Sequence, residues 1–140
     1  WVEDGDLYCI AWAYDLDSEN FKVSYLKHEA RHLVDLERYP HMDSTELEYR
    51  AKLTELAFAH RTLTRVLENF SEKSAQNPES PHSMANWRVV RDMYWHLFEE
   101  EMAENFDDWG QLRGEDVNRA ARTLIALNTE KHDRLINEEP

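Results

Sequence analysis

The chain has 140 residues, the length of one domain, and its 41% hydrophobic content, with five Trp, six Tyr and five Phe, supplies one core and argues against disorder over most of its length. Sixteen basic residues against 29 acidic ones leave a net charge of −13, which argues against nucleic-acid and anionic-membrane partners, since both need clustered Lys and Arg. The lone Cys9 excludes an internal disulfide, and no apolar run approaches the roughly 20 residues that cross a bilayer.

With only three Gly and four Pro, long helices are favoured over a turn-rich sheet, and the pattern reads as mainly α, an α+β domain with one N-terminal strand. The chain begins at Trp1 rather than Met, as a processed product or a piece of a longer chain would. Leu7–Tyr14 (LYCIAWAY) is apolar, aromatic and bounded by acidic turns, and predicts that strand. From Phe21 to Tyr39 the spacing of Tyr25, Leu26, Leu33 and Leu36 predicts a helix that Pro40 ends.

A second helix is expected from Asp43, capped by the pair Asp43 and Glu46, with a stripe of Leu53, Leu56, Ala57, Leu63 and Leu67 running to Phe70. His60 lies on that stripe, as a hydrogen-bonded core histidine would. The run SEKSAQNPESP reads as a linker, with His82 a loop histidine beside its last proline. A third helix carries Trp87, Val90, Tyr94, Leu97 and Phe98, followed by a solvated EEE patch. A fourth follows Gly114 with Val117, Ala120, Ala121, Leu124, Leu127 and Leu135.

The chemistry lies in HEARH. On a helix, His28 and His32 are one turn apart on one face and can address a single ion. Glu29 sits about 100° round from His28, within reach of a water at that ion without being its ligand. Two neutral nitrogens, a base and an open position suit a hydrolytic zinc site, which takes a third protein ligand. The spacing HExxHxxGxxH is absent, because Asp35 and Arg38 stand where its Gly and third His would be. His41 could swing back from its turn, and the second helix offers Glu46, Glu48 and Glu55. Glu46 is occupied in the cap, and the small Ala51 on the face of Glu48 allows close approach, so Glu48 is the preferred third ligand.

His28-Glu29-x-x-His32 followed by Glu48-Tyr49-Arg50-Ala51 resembles the gluzincin class of zinc metallopeptidases, over the span Tyr25 to Leu56. The resemblance implies a single zincin-like domain over residues 1–140, a Zn2+ cofactor held by His28, His32 and Glu48, and Glu29 as the group that activates water. Several such families carry an Asp after the Ala to orient a ligand histidine. Lys52 stands there instead, and Asp35, one turn beyond His32, could take that role. Zinc would polarise the scissile carbonyl of a peptide or protein substrate, and Glu29 would pass the proton of a metal-bound water to the leaving amine. The oxyanion donor is open among Tyr94, His96, His82 and Arg50, with Tyr94 also fitting a core stripe. Two other readings are weighed. A di-iron bundle would need Glu79-Ser80-Pro81-His82 as its second E-x-x-H, which Pro81 puts in a loop. A catalytically inactive zincin-like module, binding or structural within a larger protein, keeps the helices without the reaction.

Overall fold

The computed structural model describes residues 2–3, 6–103, 106 and 108–138. Five α-helices dominate them: α1 (His28–Arg38), α2 (Ser44–Phe58), α3 (Leu63–Glu72), α4 (Pro81–Phe98) and α5 (Gly114–Glu138). The architecture is mainly α, as the composition predicts. The expected strand is not formed as such: β2 is only Asp6–Leu7, paired antiparallel with β1 (Val2–Glu3), and Ala11–Ala13 is a 3-10 turn. Tyr8, Ile10, Trp12 and Tyr14 are exposed, so this β-prone segment has no sheet to bury it, and its propensity goes unused.

α2 is the axis of the domain, packed against α1, α4 and α5. Its consecutive residues Glu48 to Ala57 are all buried, so it has no solvent face, as expected of a helix surrounded by others. Leu53, Leu56 and Ala57 join Leu67, Val89, Val90, Met93, Val117 and Ala121 in the core. Its start follows the sequence: the Asp43 carboxylate accepts the Glu46 amide at 3.0 Å. The Glu46 side chain does not close the box. It accepts from Arg88 and from Asn128 Nδ2 (2.6 Å), and lies 3.0 Å from His132 Nε2.

The single helix expected from Asp43 to Phe70 is two helices, because the chain is capped from outside at Ala59–Thr62. Asn118 of α5 donates to the Leu56 and Ala59 carbonyls at 2.6 and 2.9 Å, and Arg122 to that of Ala57 at 3.0 Å. The Glu19 carboxylate takes the amides of His60 and Arg61. These bonds satisfy groups that a continuing helix would have paired internally. His60 is exposed at this break and is not a core residue.

α1 is preceded by a π-helical segment, Asn20–Lys27, that buries Phe21 and Val23. α1 itself is turned opposite to its apolar pattern. His28 and Asp35 are its buried residues, whereas Val34 and Leu36 are 52% and 45% exposed. The helix presents a polar face to α2. Behind α4, Tyr94, Phe98, Phe106 and Trp109 form an aromatic cluster, edge-to-face at Tyr94–Phe106 and Phe106–Trp109, and the Trp109 indole donates to Ser71 at 2.8 Å. Tyr94 is thus a core residue, as its stripe predicts.

Candidate metal centre

The polar face of α1 is fixed by one buried ion pair. Arg50 donates from Nε and Nη2 to Asp35 at 2.7 and 3.0 Å, both side chains being fully buried, and its remaining donors reach Asn128 and Thr129 on α5. Arg31 adds a second fork to the same carboxylate. Burial works to raise the Asp35 pKa, but the bonds from Arg31 and Arg50 outweigh it and hold the carboxyl below its ordinary range. Asp35 is therefore spent on locking α1 to α2 and does not orient a histidine.

With α1 held in this rotation, His28 and His32 meet Glu48 of α2. The two Nε2 atoms are 3.0 Å apart. His32 Nε2 is 3.3 Å from Glu48 Oε1, and His28 Nε2 is 3.7 Å from Oε2. Zinc–donor bonds of 2.0–2.2 Å place tetrahedral neighbours about 3.3 Å apart. One donor atom from each of the three residues lies within 4.8 Å of the others, so small side-chain movements would bring them to that spacing. His28, His32 and Glu48 are the one group of this kind among the described residues. The donor set, two imidazoles and a carboxylate, is that of a zinc site with room for a fourth ligand. Glu48 Oε2 is moreover a buried oxygen without a hydrogen-bond partner, which a bound cation would satisfy.

The orienting carboxylate is Glu55, two turns along α2 from Glu48. Its Oε1 lies 2.7 Å from His28 Nδ1, which places a proton on Nδ1 and leaves Nε2 as the ring atom facing Glu48. Glu55 also borders a small cavity of about 110 Å3 whose lining is half apolar, with Ser24, Arg65 and Asn69 beside Val66 and Phe70. Burial opposes a charge on His28, yet Glu48 and Glu55 overcome it and raise its pKa to about 9. Burial likewise works against ionised Glu48, but His28, His32 and Lys52 hold it far below the ordinary carboxylate range.

Two further groups approach Glu48 Oε2. Lys52 Nζ is 3.7 Å away, itself buried over the Phe70 ring. His82 Nδ1 is 2.8 Å away, without the alignment of a hydrogen bond. His82 stands in the first turn of α4 and not in a loop, because Pro81 opens the helix at a position where its missing N–H costs nothing. Of the four candidate oxyanion donors only His82 reaches the centre: Arg50 is consumed by Asp35, Tyr94 is in the aromatic cluster, and exposed His96 lines a different groove with Leu112 and Asp116. His41 lines a cavity with Tyr39 and Ile136 and is not part of the donor group. Glu29 is half-buried beside His28, and its carboxylate has no hydrogen bond or ion pair among the described residues.

No helix among the described residues is long and apolar enough to cross a membrane. Comparison with protein-family models, curated proteins and solved structures finds no match for this chain.

Proposed function

We propose that the protein is a zinc-dependent metallopeptidase of the gluzincin type, with His28, His32 and Glu48 as ligands and Glu29 as general base. The observation that carries this reading is the convergence of three donor atoms within 4.8 Å of one another, with Glu55 behind His28. Zinc, once bound, supplies Lewis acidity toward the scissile carbonyl and a water acidic enough to lose its proton near neutral pH. The chain's own residues do the rest. Glu55 keeps the His28 proton on Nδ1. Glu29, which has no ion pair among the described residues, accepts the proton of the attacking water at its carboxylate and delivers it to the leaving amine nitrogen.

A second reading, a zinc-holding module without hydrolysis, draws support from the crowding of Glu48 by Lys52 and His82. Elemental analysis of protein purified without added metal or chelator should find about one zinc per chain, lost in His32→Ala, as expected for a three-ligand site. A peptide-library digest by the loaded protein, abolished in Glu29→Gln with zinc retained, supports the peptidase. Zinc without Glu29-dependent cleavage supports the module, and absence of zinc even after its addition overturns both.

A further inference from the structure

The three glutamates that follow α4, Glu99 to Glu101, are not carried away from the helix as a solvated patch would be. Glu99 takes the left-handed conformation at φ 56°, which turns the chain, and the Tyr94 hydroxyl donates to Glu100 Oε1 at 3.2 Å, which seats the turn against α4. Between turn and helix lies a cavity of about 390 Å3, with Trp87, Arg91, Trp95, Glu100 and Glu101 in its wall. Trp87, Arg91 and Trp95 are spaced four apart and share one face of α4.

One half of this cavity already holds a guanidinium. Arg91 Cζ lies 4.6 Å from the centre of the Trp87 ring, while its Nε and Nη2 reach Asp92 Oδ1 at 2.7 and 2.6 Å. A flat cation on an indole, bonded to a carboxylate, is a pairing that suits arginine better than lysine. The other half repeats the parts without the cation. Trp95 is 56% exposed, Glu100 accepts only from a neutral hydroxyl, and Glu101 has no ion pair among the described residues. Arg91 is paired with Asp92, so the charges of Glu100 and Glu101 are uncompensated, in a protein of net charge −13 that draws cations from a distance.

We propose that Trp95, Glu100 and Glu101 form a binding site for a guanidinium group, supplied by an arginine from outside the chain, with the indole beneath its plane and the carboxylates at its edge. The site shares no residue with the metal centre and does not depend on it. A lysine ammonium fits it less well, being strongly hydrated and without a flat face.

The test titrates the 15N-labelled chain with N-acetylarginine amide, with its neutral citrulline counterpart, with N-acetyllysine amide and with free arginine. Binding is read from the Trp95 indole N–H, assigned by its loss in Trp95→Phe, and from the Glu101 amide. The arginine amide should shift both saturably and bind at least about tenfold tighter than the citrulline and lysine amides, the scale of one charged contact. The double variant Glu100→Gln/Glu101→Gln should lose about tenfold, and Trp95→Ala about threefold, as an exposed cation–π contact would. All three side chains are exposed, so these variants keep the core. Tighter binding of the amide than of free arginine assigns an arginine within a polypeptide, because the free carboxylate is repelled here; the reverse order assigns the amino acid itself, and either order supports the site. Absence of a saturable shift, equal binding of the citrulline amide, or undiminished binding to the double variant would overturn the proposal. A shift confined to the Trp87 indole would overturn it too, since the ligand would then be exchanging with Arg91.

Discussion

Replacing Asp35 by Leu tests the device that sets the rotation of α1. The substitution removes the carboxylate that receives two Arg50 bonds and a fork from Arg31, and leaves the fully buried Arg50 guanidinium with only Asn128 and Thr129, neither of them charged. An arginine cannot escape by losing its proton, so the cost is that of an uncompensated buried charge, about 3–5 kcal/mol. At roughly 2.1 cal/mol/K per residue over 140 residues, this lowers Tm by roughly 10–17 °C. Arg50→Met should cost less, because Asp35 keeps Arg31, and the double variant should be more stable than Asp35→Leu alone. Thermal unfolding by circular dichroism with chelator present separates these effects from metal binding. The half-exposed surface pair Arg38–Asp133 serves as control, with a loss near zero to 1 kcal/mol. If Asp35→Leu costs no more than that control, or if the double variant is the least stable of the three, the argument from desolvation is wrong.

Glu55→Gln should weaken zinc binding by about 10–100-fold, read by competition with a chromophoric chelator; unchanged affinity would mean that Glu55 does not act through His28. Acid should destabilise the protein through Asp35 and Glu46. Burial opposes ionisation of both, but Arg31 and Arg50 depress Asp35 from 3.8, and Arg88, Asn128 and His132 take Glu46 from 4.5 to about 2. Their contribution is complete above those ordinary values and disappears as pH falls through the depressed ones, so the Tm gap between wild type and Asp35→Leu should narrow below about pH 4. A gap independent of pH would exclude Asp35 as its source. Glu99, exposed, ends α4 in the left-handed region at φ 56°, so Glu99→Gly should stabilise by about 1 kcal/mol in chemical denaturation, whereas a loss would show that the Glu99 side chain matters there.

The three residues of the candidate centre were legible because their relations are local or nearly so. His28 and His32 share a face by the helical period alone, and Glu48 follows from the cap at Asp43 and the small Ala51. Glu55 carried a readable signal as well, since it lies seven residues from Glu48, two turns along the same face. Asp35 misled because its best partner, Arg50, is fixed by the packing of α1 on α2 and by α5, which sequence spacing does not disclose. His82 was hidden by reading Pro81 as the end of a linker when it is the start of α4. The break after Phe58 was illegible for a similar reason: its caps, Glu19, Asn118 and Arg122, lie far away in sequence. Local pattern finds what a helix presents; it does not find what another helix does to its backbone.

The orientation of α1 bears on function as well as fold. A helix that serves only the core would bury Val34 and Leu36 and leave its histidines and Asp35 to water, whereas this one does the reverse. Burying Asp35 against Arg50 gains little net stability over an apolar pair, because desolvation offsets most of the attraction. What the pair achieves is position: it turns His28 and His32 onto Glu48, which Glu55 then supports from behind. At that point two carboxylates, Glu48 and Glu55, face one ammonium, Lys52, and two imidazoles. The excess negative charge is what raises His28 to about 9. A divalent cation would answer the same excess in contact with Glu48 Oε2, with the three donors grouped within 4.8 Å. An inverted helix, a buried pair of little stabilising value and an unsatisfied carboxylate oxygen are three separate departures from efficient packing. All three end at one centre, as departures kept for function do.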